Sequence, residues 1–244
     1  MSNGGIRARD GLGDLAHSFL SRAKYLLAAP LPAKAYWHLM GRFQPARAVT
    51  SRWPSLQESL DSGAGVVAML DRLGLVKQDA VVLQIGCGIG RIEKHLHKRV
   101  RFCYGIDIAP SMIARARANV RASNVEFTCA DSLVHLSSPR FDLIYAIYVF
   151  QHLRRETMRR YLEEAYAQLV CGGKVAFQIL VDETGERTDP PQNHPYGIRY
   201  YRRADLSTLL TRIGFTSIRF LDFAESSRNE GFGGELLVIA SKTS

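Results

Sequence analysis

The order of apolar runs and helical periods predicts an α/β fold: a doubly wound, mostly parallel sheet of seven strands with an antiparallel C-terminal edge strand, preceded by a helical extension. Three observations carry this reading. The β-branched apolar run Val81–Ile85 stops at a glycine-rich turn, Gly86-Cys87-Gly88-Ile89-Gly90-Arg91, and helical residues follow at once. Further strand-like runs then alternate with helical segments, as crossover connections in a parallel sheet require. Two of those runs, ending at Asp107 and Asp131, close on an acid.

Taken in order, residues 1–13 are glycine-rich and polar and are expected to be disordered. From Asp14, Leu15, Phe19, Leu20, Ala23, Leu26 and Leu27 recur at helical spacing among basic residues, and Pro30 and Pro32 break that helix. An aromatic cluster, Tyr36, Trp37 and Met40, completes an extension over 1–54. Such a basic amphipathic helix can lie on a membrane surface, although packing over the core or a partner copy is the favoured reading. Ser55-Leu56-Gln57-Glu58 is a capping box opening the domain over 55–244. The helix behind it is expected to bury Leu56 and Leu60, to break near Gly63, and to resume through Val66, Val67, Leu70 and Leu73 until Gly74. After Val81–Ile85, strands are expected over 101–107, 125–131, 141–147 and 174–181. Pro110 suits the first turn of a helix. Another helix spans 156–170, carries Arg159–Glu163 and Arg160–Glu164 at i,i+4, and should stop at Gly172-Gly173. Residues 182–200 are polar and proline-rich, long enough for a substrate lid. A helix over 203–213 ends at Gly214, and 216–223 pairs with 235–240.

Composition excludes several classes. With 46% hydrophobic and 23% charged residues, the chain can bury a sizeable core. No apolar run reaches the roughly 20 residues of a membrane span. Cys87, Cys103, Cys129 and Cys171 lie too far apart for a zinc ribbon or a disulfide framework, so no metal is expected and a reducing, cytoplasmic setting is the default. A net charge of +9 hints at an anionic partner, with seven basic against two acidic residues in the first fifty. A solvated basic surface explains it equally well.

The glycine turn carries the chemistry. Strand, turn and helix start together aim backbone N–H groups at a ligand. A dinucleotide fingerprint needs a third glycine where Arg91 stands, and a Walker loop needs Gly-Lys-Ser/Thr. What remains is G-x-G-x-G. Asp107 lies 21 residues after Gly86, which suits an acid accepting from two ribose hydroxyls. Asp131 is placed to accept from an adenine amino group.

On these pieces the chain resembles the class I, Rossmann-like S-adenosylmethionine (SAM) methyltransferases from about Ser55 to Ala240, especially the bacterial small-molecule type. The matching pieces are Ile85–Arg91, Gly105–Met112, Ala130-Asp131, Phe141-Asp142, Val149–His152 and Leu169–Gly173. The resemblance implies that Gly86, Cys87, Gly88, Gly90 and Arg91 surround the methionine part of SAM. It places Asp107 and Ile108 at the ribose, Asp131 and Ser132 at the adenine with Met112 packed nearby, and gives Ala146 a backbone carbonyl facing the cofactor. Gln84 departs from the family, which usually has Asp or Glu there to help hold the SAM ammonium. Gln accepts a hydrogen bond without charge, so Gln84→Glu is expected to tighten SAM binding or leave it unchanged.

Methyl transfer by direct displacement needs alignment first, and then removal of the acceptor's proton. His152 is the candidate base or positioner and Tyr148 can orient the acceptor; His152 capping the next helix or touching SAM is the competing reading. His194 and Tyr196 in the long loop, and Trp53 with Tyr36 and Trp37 before the core, are weaker lid or substrate candidates, with ordinary packing the favoured reading for each. Asp189-Pro190-Pro191 is similar to the motif of nucleobase amino-methyltransferases but lies in the wrong part of the fold. The expected reaction is methyl transfer from SAM, leaving S-adenosylhomocysteine (SAH), to an oxygen or nitrogen of a small-molecule acceptor. A nucleic-acid methyltransferase and a non-catalytic SAM-binding scaffold are the alternatives. The sequence sets no oligomeric state.

Overall fold

A computed structural model describes residues 31–49, 55–134, 136, 140–191, 194, 197–223 and 234–243. The helix expected over 14–27, Trp53 and Tyr196 lie outside the described residues. Helix α1 (Ala33–Phe43) and the short α2 (Pro45–Val49) come first. Then α3 (Leu56–Asp61) and α4 (Gly63–Arg72) follow. The capping box of α3 is formed: Glu58 N donates to Ser55 Oγ at 3.2 Å and Ser55 N donates to Glu58 Oε2 at 2.7 Å. Leu60 is buried as expected, but Leu56, the first residue of α3, is 39% exposed.

The remaining elements are β1 (Val81–Ile85), α5 (Glu93–Leu96), β2 (Phe102–Asp107), α6 (Pro110–Asn119), β3 (Val125–Cys129), β4 (Phe141–Ala146) and α7 (Arg155–Gln168). After them come β5 (Leu169–Val181), β6 (Tyr200–Tyr201), α8 (Arg203–Ile213), β7 (Phe215–Asp222) and β8 (Glu235–Lys242). The strand order is β3-β2-β1-β4-β5-β8-β7, with two-residue β6 paired to the end of β5. Strands β1 to β5 run parallel, whereas β8 is antiparallel to both β5 and β7. The alternation of β1 divides the core. Val81, Leu83 and Ile85 face Phe150, Leu162 and Phe177, while Val82 faces Val66, Leu70 and Leu143. Helices therefore cover both faces.

One expected boundary is wrong. Helix α7 ends at Gln168, and Gly172-Gly173 lies inside β5 rather than capping the helix. The β4–β5 register shifts there, from Phe141↔Leu169 to Leu143↔Lys174, so the glycines serve a bulge. Gly214 does cap α8, with φ +114° and its N–H donating to the Leu210 carbonyl. The chain leaves β1 toward β2 on one side and returns at β4 on the other. This reversal opens a crevice at the carboxyl ends of β1 and β4.

Candidate active site

The crevice holds a cavity partly open to solvent. Its floor is the glycine turn. Gly86 and Gly88 adopt φ of +70° and +55°, and neighbours leave no space for a side chain. A Cβ on Gly86 would sit 2.3 Å from Val149 Cγ2, and one on Gly88 2.8 Å from Val49 Cγ1. Gly90, at φ +78°, faces Val120 and Phe127 instead and lets α6 and β3 pack behind the turn. It is a packing glycine, not a cavity residue as expected.

Asp107 ends β2 at the cavity wall. Its Oδ2 accepts from Gly88 N at 3.0 Å and its Oδ1 from Ala109 N at 2.9 Å. The Ile108 N–H also favours the charged carboxylate, which keeps acceptor capacity for a ribose hydroxyl. Burial raises its pKa to about 6, against the backbone N–H groups that favour the charged form. Gln84, Cys87, Arg91, Ile108 and Met112 line the cavity as expected. Arg91 donates to Ser62 Oγ at 3.1 Å, and its guanidinium lies 5.8 Å from the Tyr148 ring centroid.

Three expected cofactor residues lie elsewhere. Strand β3 ends at Cys129, two residues early, so Asp131 falls in the exposed loop and Ala130 lines the cavity instead. Ser132 Oγ donates to Glu164 Oε1 at 3.1 Å and accepts from Val134 N, which ties it to α7. Ala146 is buried in the core beneath the cavity.

Both expected catalytic side chains line the cavity. Tyr148 has φ +61°, uncommon for a non-glycine, and its N–H donates to Gln178 Oε1 at 3.1 Å. Gln178 Nε2 in turn donates to Gln151 Oε1 and Glu235 Oε1. His152 is fully engaged: its Nδ1 is 3.4 Å from the Gly197 carbonyl and its Nε2 is 3.2 Å from Gln151 Nε2. The tautomer that satisfies both contacts carries its proton on Nδ1. Burial lowers its pKa to about 4, so the ring is neutral near pH 7. His194 donates its backbone N–H to the Pro191 carbonyl and does not line the cavity.

Several site residues gave little sequence signal. Trp37 of α1, only a weak lid candidate from the sequence, lines the cavity with its ring centroid 5.9 Å from that of His152, so the extension forms part of the wall. Arg199, 3% exposed, donates to the His152 carbonyl at 3.1 Å. Glu93 is fully buried beside Gln84 and Tyr145. A signal for Glu93 did exist, since it stands in the apolar stripe of Ile89, Ile92 and Leu96, where a charge needs a reason. Asp189 accepts a bidentate pair from Arg155 at 2.7 and 2.9 Å, a loop contact unrelated to nucleobase chemistry. Among the described residues no cluster suits a metal ion, and no helix is long and apolar enough to cross a membrane.

Residues 82–173 match the family described as the methyltransferase domain. Among curated proteins, a malonyl-[acyl-carrier protein] O-methyltransferase of Acetivibrio thermocellus is 38% identical over 87 residues, 34% of this chain and 30% of that protein. A ubiquinone biosynthesis O-methyltransferase of Coxiella burnetii is 28% identical over 102 residues, 41% of this chain and 43% of that protein. The match therefore spans less than half the length of either relative. Among solved structures, the DhpI–SAH complex superposes with a TM-score of 0.60 at 18% identity, covering 86% of this chain and 96% of that one. The SAM-bound magnesium protoporphyrin IX methyltransferase of Synechocystis PCC 6803 also gives 0.60, at 16% identity and 88% and 99% coverage. These likenesses establish the shared architecture. The domain profile coincides with the glycine turn and the strands that build the crevice, so residues 82–173 carry a sequence similarity to methyltransferase domains on a Rossmann-like architecture.

Proposed function

We propose that the protein transfers a methyl group from SAM to an oxygen or nitrogen of a small-molecule acceptor, releasing SAH. The observation that carries this reading is the meeting of the glycine turn, Asp107 and an apolar wall in one cavity. The residues fit the cofactor. Gly86 and Gly88 keep the cavity floor free of side chains that Val149 and Val49 would exclude, and Asp107 retains acceptor capacity beyond its backbone donors. SAM supplies the electrophilic methyl group; the protein supplies alignment and the exclusion of water.

The apolar lining of the cavity favours a small molecule. Trp37, Val49, Val149 and Leu153 all contribute to it. Such a wall fits acceptors of the kind named for the two relatives, a malonyl-[acyl-carrier protein] and an intermediate of ubiquinone biosynthesis, better than a polynucleotide. The basic cluster of α7 is also partly neutralised, by Arg155–Asp189, Arg159–Glu163 and Arg160–Glu164. His152 acts here as a positioner, holding the Gly197 loop and the wall under Trp37. A base of pKa about 4 is too weak to draw a proton from an ordinary hydroxyl or amine.

Incubation with methyl-labelled SAM and fractionated metabolite extracts tests this. Label appearing in a small organic product, with SAH formed in equal amount, supports it. Label confined to nucleic acid, or SAM binding with no turnover on any fraction, overturns it.

A further inference from the structure

The pocket's missing carboxylate is present, displaced by one residue layer. Gln84 occupies the strand position where a carboxylate was expected, and Glu93, on the helix behind the turn, packs its carboxyl against the Gln84 amide. One amide atom lies 2.6 and 3.2 Å from the two Glu93 oxygens and 3.0 Å from Tyr145 Oη. The other lies 3.5 Å from the Gly86 carbonyl oxygen, at the cavity floor.

These positions admit two complementary states. With Glu93 protonated, its O–H donates to the Gln84 amide oxygen and the amide nitrogen faces the Gly86 carbonyl. With Glu93 ionised, the amide turns over. Its nitrogen then donates to Glu93 and Tyr145 Oη, and its oxygen joins the Gly86 carbonyl at the cavity floor. Two carbonyl oxygens this close hold together only around a donor, and a cationic donor best of all. The geometry thus points to a ligand that the second state is built to receive.

Resting on the SAM reading above, we propose that Glu93 is the counter-charge for the cofactor's ammonium group, acting through Gln84. Binding then exchanges charge for charge: Glu93 releases one proton to solvent, its carboxylate accepts from the turned amide, and the ammonium donates to Gln84 Oε1 and Gly86 O. Glu93 is a positioning residue that touches the cofactor only through Gln84. Its surroundings agree. Burial raises its pKa to about 8, opposed by Arg91 and the Tyr145 hydroxyl and reinforced by Asp107, so the empty site holds a proton near pH 7. Cys87 and Cys103, also near it, are pushed up by burial and stay neutral.

Calorimetric titration with SAH at pH 7, in buffers of different ionisation enthalpy, tests this. Wild type is expected to release close to one proton per SAH bound. Glu93→Gln should bind about ten-fold more weakly without that release, and the double variant Q84E/E93Q, which returns the carboxyl to the strand, should regain most of the affinity. Binding without proton release by wild type overturns the proposal, as does wild-type affinity in Glu93→Gln. Should Glu93→Gln fail to fold, wild-type proton release and the double variant decide alone. Absence of SAH binding by wild type itself overturns the cofactor reading, and this inference with it.

Discussion

Trp37 lies against His152, their ring centroids 5.9 Å apart at an interplanar angle of 57°, so a helix outside the matched domain closes the pocket that the glycine turn opens. The closure is anchored on α6: Ser111 Oγ donates to the His38 carbonyl at 2.6 Å, and Gly41 packs against Ser111 and Met112. Removing the indole should therefore affect the ligand space more than the fold. Trp37→Ala is expected to raise the acceptor KM about ten-fold while costing about 1 kcal/mol of stability. Steady-state kinetics beside a denaturant melt would show it, and unchanged kinetics would remove α1 from the site.

Two glycines with similar backbones separate strain from fit. Gly74 and Gly86 have φ of +66° and +70°, but a Cβ on Gly74 meets nothing within 4 Å. Gly74→Ala should destabilise by about 1 kcal/mol and bind SAH normally. Gly86→Ala adds a clash with Val149 to the same strain, and is expected to lose SAH binding. Equal binding by both variants would mean that the turn is not the cradle.

Much of this was legible from residue pattern. The glycine turn, the alternation of strands and the capping box at Ser55 are local signals with local causes, and each appears where the sequence places it. Asp107 was readable because strand length fixes where β2 ends. Asp131 was not, because β3 stops at Cys129 and Glu164, from a distant helix, draws Ser132 and the Leu133 N–H away. Gly172 and Gly173 show the same limit: a Gly-Gly pair fits a helix cap or a bulge, and register with β4 decides. Arg199 reaches the site only through tertiary packing, which no spacing encodes, and the same packing decides that Trp37 and not its neighbour Tyr36 lines the cavity.

From three buried groups, the stability of the ligand-free protein should fall as pH rises from 4.5 to 6, level off to 6.5, and fall again to 8. Glu93, raised from 4.5 to about 8, and Asp107, raised from 3.8 to about 6, hold protons in the native state that the unfolded chain has lost. Their contribution falls as pH rises through those windows. His152, lowered from 6.5 to about 4, acts oppositely between pH 4 and 6.5 and is spent above that. From pH 6.5 to 8 Glu93 dominates, with a loss of about 2 kcal/mol. Thermal melts across this range check it; a Tm that climbs from pH 6.5 to 8 contradicts the assignment.

His152 in its neutral, doubly bonded state predicts a specific kinetic pattern. The kcat/KM profile should lack an ascending limb near pH 6.5. His152→Gln, which can still donate to Gly197 and accept from Gln151, should stay within about ten-fold of wild type, and His152→Ala should lose about a hundred-fold. Equal loss in both variants, with a limb near 6.5, would restore the general-base role.

The most direct test of the central claim is calorimetric titration of the purified protein with SAH, with NAD as the control. The account predicts one SAH per chain, no NAD binding, and about 2.7 kcal/mol of added stability at a ligand concentration 100 times Kd. NAD binding in place of SAH, or no binding of either, would contradict it.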